Sequence, residues 1–154
     1  MEAALTSSTP SHASATIPSK SRRWAGALLS ALPALFLVFD GAMKLVKIQP
    51  VVEAMDKMGF PDAAARPIGL ILIACVVLYA VPRTAVIGAV LLTGYLGGAI
   101  ATHVRIADPL FSHTLFPVYF GILLWGGLYL RDARVRALVR PAPSSGDARG
   151  RSAS

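Results

Sequence analysis

The chain has 154 residues, a formal net charge of +7, 55% hydrophobic and 15% charged residues, and a mean hydropathy of +0.60. That length suits one domain, but soluble domains carry about 25% charged residues, and a chain this small has too little interior to hide so much apolar surface from water. A disordered chain, a disulfide scaffold and an ordinary water-soluble enzyme are excluded; a multi-pass membrane protein remains.

The basic balance does not indicate nucleic acid. Arg and Lys stand beside the apolar segments, where they orient helices and meet anionic headgroups, and no basic helix is interleaved with aromatics. Cys75, the single cysteine, permits no intrachain disulfide and no cysteine zinc site. Within Ile73-Ala74-Cys75-Val76-Val77 it reads as a small apolar filler.

The predicted architecture is all-α: a transmembrane four-helix bundle over residues 24–138, with a short amphipathic helix in its first connection. It lies between disordered tails at 1–23 and 139–154. The N-terminal tail is rich in Ser, Thr, Ala and Pro without apolar periodicity. Lys20, Arg22 and Arg23 precede span one, Trp24 to Leu45. That run continues into Asp40-Gly41-Ala42-Met43-Lys44 without a small-x-small cleavage site, so it is read as a span and not as a leader.

In the connection 46–66, Pro50 suits a first helical position and Gly59 a terminator. Val51, Met55 and Met58 fall on one face, and Glu53, Asp56 and Lys57 on the other, predicting an amphipathic helix at the membrane surface. Span two runs from Ala63 to Val81. The Pro82-Arg83 link is so short that spans two and three, the latter Thr84 to His103, must be antiparallel neighbours. A polar connection, Val104 to Ser112, leads to span four, His113 to Leu130, with Pro117 tolerable near its first turn. Twenty helical residues rise ~30 Å, the thickness of the hydrocarbon core.

With both termini inside, ten basic residues gather on the inner side, Lys20, Arg22, Arg23, Arg83 and six C-terminal arginines. Five lie outside: Lys44, Lys47, Lys57, Arg66 and Arg105. The positive-inside rule then places both termini in the cytoplasm.

Span three carries small residues four apart, Ala85, Ala89, Thr93, Gly97 and Ala101, beside a second row, Gly94, Gly98 and Thr102. Residues four apart share a helix face, and small ones let helix backbones approach in lipid. The expectation is packing inside the bundle; a dimer contact is the alternative.

The candidate site lies at the outer edge. Asp40 and Lys44, acid then base at i and i+4, favour an ion pair on one face, either self-neutralising with Lys44 snorkelling or part of a site. His103 and Arg105 close span three, Asp108 follows, and His113 opens span four. An acid, a lysine, a histidine and an arginine at one depth can bind an anion or a quinone headgroup, or relay protons. His103 and His113 lie too near a loop for haem ligation within a bundle. No metal is expected, and no metalloprotease or phosphate-loop motif is present.

Phe39-Asp40-Gly41-Ala42-Met43-Lys44-Leu45, Gly59-Phe60-Pro61, Ile87-Gly88-Ala89, Gly94-Tyr95-Leu96-Gly97-Gly98-Ala99, Thr102-His103-Val104-Arg105 and Asp108-Pro109 occur in this order. Together the chain resembles, over roughly residues 26–138, the DoxX-like family of small bacterial four-helix membrane proteins. The resemblance implies an inner-membrane bundle linked to quinone or sulfur redox metabolism, with Gly41, Lys44, His103 and Arg105 as positions to carry over. Without a cysteine pair, a thiol relay is not expected here.

The expected function is an accessory, ligand-binding membrane component in which Asp40, Gly41, Lys44, His103 and Arg105 hold a polar or quinone headgroup. The alternatives are a small transporter or channel subunit, or a structural partner in a membrane complex. No cofactor is evident apart from a quinone. The expected partners are the lipid bilayer, another membrane or redox protein and a second copy of the chain.

Overall fold

The computed structural model describes residues 19–139; the tail sequences 1–18 and 140–154, expected to be disordered, lie outside the described residues. Six α-helices follow one another: α1 Ser19–Val46, α2 Gln49–Lys57, α3 Ala65–Ala80, α4 Ala85–Arg105, α5 Phe116–Arg131 and α6 Ala133–Val139. A 3₁₀ turn, Asp62–Ala64, leads into α3, and a π turn, Leu110–Thr114, leads into α5. Four segments are long and apolar enough to cross a membrane: Lys20–Val46, Asp62–Ala80, Ala85–Arg105 and Leu110–Arg131.

The boundaries differ from the sequence reading in three places, one of them at the start of span four, where His113 falls in the π turn and α5 opens at Phe116. The first helix starts at Ser19, so Lys20, Arg22 and Arg23 are helical and not part of a tail. A lysine and two arginines have good helix propensity and need no apolar partner to continue a helix already nucleated by the span. The helix of span four, α5, ends at Asp132, whose backbone is extended. A short amphipathic turn, α6, then tucks Val135 into the core.

The helices form a ring in which α1 is flanked by α3 and α5, and α4 by the same two, so that α1 and α4 stand on the diagonal. The centre is filled by Leu72, Leu92, Leu124 and Leu128, all essentially inaccessible, together with Tyr79. Large apolar side chains face outward instead of being hidden: Leu28, Leu32, Leu35 and Phe39 on α1, Leu70 and Val77 on α3. This outward apolar surface suits lipid and not water.

Where lipid surrounds the helices, close packing and interhelical hydrogen bonds hold them together. The Tyr79 hydroxyl stands 2.8 Å from the Leu124 carbonyl and 2.8 Å from Ser30 Oγ. Having one proton, it donates to the carbonyl and accepts from the serine, tying α1, α3 and α5 together. Gly41 and Gly69 mark the α1–α3 crossing. A Cβ on Gly69 would lie 2.8 Å from both the Gly41 carbonyl oxygen and Lys44 Cβ, so only hydrogen fits.

Candidate functional site

At the end of the bundle away from the described termini, the ring does not close tightly. A cavity of about 620 Å³ lies between the four long helices, and α2 lies across it. The sequence of α2 explains its placement. Pro50 sits in its first turn, and Val51 and Met55 are buried while Glu53, Asp56 and Lys57 are exposed. The helix ends at Gly59, in the left-handed conformation with φ +74°. There the Gly59 amide donates to the Asp56 carbonyl (2.8 Å) and the Phe60 amide to the Met55 carbonyl (2.9 Å). This paired closure is the Schellman motif, and it folds Phe60 back against the cluster formed by Val51, Met55 and Ala65.

The cavity walls are largely apolar, with Phe36, Met55, Ile68, Ile71, Phe116 and Phe120 among them. Asp40, Lys44, Tyr95 and His103 are polar groups in the same lining. Lys44 Nζ donates to Asp40 Oδ1 at 2.5 Å, as the i, i+4 spacing predicts. Tyr95, half-buried, stands in the same lining from α4.

Across the ring, the end of α4 determines how His103 is held. Ala107 adopts φ +53°. Its amide donates to the Val104 carbonyl (3.1 Å), and the Asp108 amide donates to the His103 carbonyl (3.1 Å). This is a second Schellman closure, with alanine in the position that favours glycine. The closure turns the chain so that Asp108 meets the side chain of His103, where an apolar contact is usual. Asp108 Oδ2 lies 2.7 Å from His103 Nδ1, and Lys57 Nζ donates to Asp108 Oδ1 at 2.7 Å. The Asp108 side chain is only 7% exposed. The Lys57 ammonium, then His103, hold its carboxyl below the ordinary carboxylate range. A carboxylate on one ring nitrogen fixes the orientation of the imidazole.

Three of the five sequence-predicted residues, Asp40, Lys44 and His103, thus line one cavity. Gly41 does not. It is buried at the helix crossing, 3.2 Å (from its Cβ position) from the Gly69 carbonyl oxygen. Arg105 does not either: its guanidinium reaches over to donate to the Met58 carbonyl, binding the end of α4 to the end of α2. His113 is exposed, its Nδ1 2.8 Å from Ser112 Oγ and its ring 6.0 Å from that of His103. Lys47 pairs with Asp62 across the first connection. Among the described residues, no group of three potential metal-ligating side chains converges.

The small-residue rows of span three divide. Ala85 and Ala89 are buried in the bundle, as expected for packing. Gly94 and Gly98 instead line the cavity, and a Cβ at Gly94, Gly97 or Gly98 would meet nothing within 4 Å. Ala101 is exposed, and the Thr93 hydroxyl accepts from Trp125 Nε1 at 2.9 Å. The expectation that these glycines pack α4 against its neighbours therefore does not hold along the outer half of the helix. There the missing side chains leave space for the cavity. The sequence names Tyr95 and Gly88 only as members of motifs and assigns neither a role; Tyr95 lines the cavity, and Gly88 packs against the backbone of Tyr79. A lone tyrosine among the small residues was the available signal.

A family model for the DoxX-like family matches residues 28–127. The chain belongs to the DoxX-like family. The match spans α1 to most of α5 and includes Asp40, Lys44, Tyr95, His103 and Asp108. No curated protein and no solved structure matches the chain. This DoxX-like protein is a membrane protein with four candidate spans.

Proposed function

We propose that the chain is an accessory component of bacterial redox metabolism whose cavity binds a lipophilic molecule carrying a polar head, of which a quinone is the best fit. The observation that carries the reading is the composition of that cavity. Its apolar walls suit an isoprenoid-substituted ring, and the polar groups are few and of the right type. A quinone headgroup offers two carbonyl acceptors. Lys44 on α1 is a donor on one side of the ring of helices and Tyr95 on α4 a donor on the other; His103, also on α4 with its Nδ1 against the Asp108 carboxylate, adds a third donor, Nε2–H, as the imidazolium. The Lys44 ammonium remains neutralised by Asp40, so an uncharged headgroup is accommodated without leaving an unpaired charge in a low-dielectric site. The family resemblance supports the same class of ligand. Nothing in the reading requires catalysis.

The charge distribution supports an inner-membrane location with both termini in the cytoplasm. Among the described residues, the end carrying the termini has seven basic side chains and one acidic, whereas the cavity end has five of each.

The test is titration of the purified full chain in detergent with a short-chain ubiquinone, followed by native mass spectrometry. Binding is expected to be saturable with one equivalent. Lys44→Ala and His103→Ala should each weaken it by about tenfold, the loss expected for one hydrogen bond to a ligand in a desolvated site. Unaltered binding in both folded variants overturns the site, and absence of binding by the wild type overturns the ligand class.

A further inference from the structure

The opposite end of the bundle holds a second cavity of about 620 Å³, between the start of α1, the α3–α4 turn and the end of α5. Its character is different. Lys20, Arg23 and Arg131 line it, with Trp24, Pro82 and Asp132. Among the described residues no carboxylate pairs with any of these three cations. The one acid present, Asp132, is already engaged. Its Oδ2 accepts from Arg134 Nη2 at 2.9 Å, and its Oδ1 accepts from the Arg134 backbone amide at 2.9 Å. Those bonds hold the Asp132 carboxyl below its usual range, Arg134 being the first cause.

Arg131 is anchored where it stands. Its Nη2 donates to the Tyr79 carbonyl at 2.9 Å, and its guanidinium carbon lies 4.7 Å from the centre of the Tyr79 ring. Its Nε–H is buried without an acceptor among the described residues. The nearby Asp132 carboxylate is ion-paired with Arg134 and not with Arg131; a guanidinium partly removed from water without an ion pair of its own is costly, and an anion in the adjacent cavity would offset that cost. Trp24, 71% exposed, is the kind of side chain that sits at headgroup level.

We propose that this cavity is a binding site for a phosphate-bearing anion, held by Lys20, Arg23 and Arg131. The three cations come from two helices and line one cavity, which distinguishes them from a diffuse basic surface. Basic pockets between helices at the cytoplasmic side are recognised sites for anionic headgroups. The bound species is a lipid headgroup or a free phosphate; both present the same chemistry. The inference is independent of the quinone reading, since it concerns the other end of the molecule.

The experiment uses the full chain in a neutral detergent at constant ionic strength, with thermal unfolding as the readout. The probes are dioctanoyl phosphatidylglycerol, dioctanoyl phosphatidylcholine and inorganic phosphate. Phosphatidylglycerol is expected to raise Tm in a saturable manner, and the zwitterionic lipid is not. Stabilisation by inorganic phosphate as well assigns the site to free phosphate; stabilisation by the anionic lipid alone assigns it to a headgroup. Arg23→Gln and Lys20→Gln should each weaken apparent affinity about fivefold, the effect of one basic side chain near an anionic headgroup. Arg83→Gln, which removes one charge at the same end outside the cavity, should leave affinity unchanged. Equal weakening by Arg23→Gln and Arg83→Gln, or no saturable stabilisation by either anion, overturns the proposal.

Discussion

Asp108 and His103 meet because α4 ends in a left-handed residue that carries a side chain. Ala107, at φ +53°, closes the turn that brings the Asp108 carboxylate to 2.7 Å from His103 Nδ1. A left-handed conformation costs a non-glycine residue roughly 1–2 kcal/mol. Ala107→Gly removes that cost while keeping every hydrogen bond of the turn. The expected outcome is a stabilisation of about 1 kcal/mol in detergent unfolding, with ligand affinity at the first cavity unchanged. A destabilised Ala107→Gly would show that the turn is not closed in this way.

The Asp108 carboxylate also holds Lys57, and so couples the end of α4 to α2. Its carboxyl is depressed, by Lys57 first and by His103 second. A carboxyl depressed in the folded state contributes stability fully above its unfolded value, about pH 3.9, and loses that contribution as pH falls through the lower folded value. Hydrogen exchange over residues 49–57 should therefore be insensitive to this group from pH 5 to 8 and accelerate below about pH 4. Asp108→Asn should exchange faster at neutral pH and lose the acid-dependent step. Identical exchange in variant and wild type would show that α2 is held without this carboxylate.

Two glycines that look alike in the sequence should respond in opposite ways. Gly69→Ala places a methyl group 2.8 Å from backbone of α1, a contact that requires helix movement; a loss of about 1–3 kcal/mol is expected. Gly97→Ala meets nothing within 4 Å, and exchanging glycine for alanine in a helix interior contributes up to about 1 kcal/mol. Unfolding in a graded detergent mixture distinguishes the two. A destabilising Gly97→Ala would mean that this face is covered in the assembled protein by a chain other than its own.

The contrast between Gly69 and Gly97 also shows what the sequence reveals and what it does not. Uninterrupted apolar runs announced the four spans because lipid permits few charges, and the Pro50 and Gly59 punctuation announced α2. The i, i+4 spacing of Asp40 and Lys44 announced their ion pair. These signals are local. Whether a small residue makes a helix crossing or borders a cavity depends on where the neighbouring helices lie, and the spacing of four is the same in either case. Arg105 stands outside the cavity for a related reason. Its position at the outer edge is legible, but its pairing with Met58, 47 residues away, follows from the docking of α2.

Arg105 provides the remaining prediction. It lines no part of the cavity, yet its guanidinium satisfies the Met58 carbonyl, one of the acceptors left at the end of α2. A charged donor to a carbonyl contributes about 1.5–3 kcal/mol where it is shielded; this one is exposed, so screening reduces it. Arg105→Ala should free the end of α2 and leave the four long helices intact. The expected pattern is faster hydrogen exchange in 49–58 and a quinone affinity reduced through faster dissociation, with Tm nearly unchanged. Arg105→Lys, which retains a donor but not the length and planarity of the guanidinium, should restore part of the lost affinity. If Arg105→Ala weakens association alone, with α2 exchange unchanged, then Arg105 acts by attracting or touching the ligand, and its bond to Met58 is incidental.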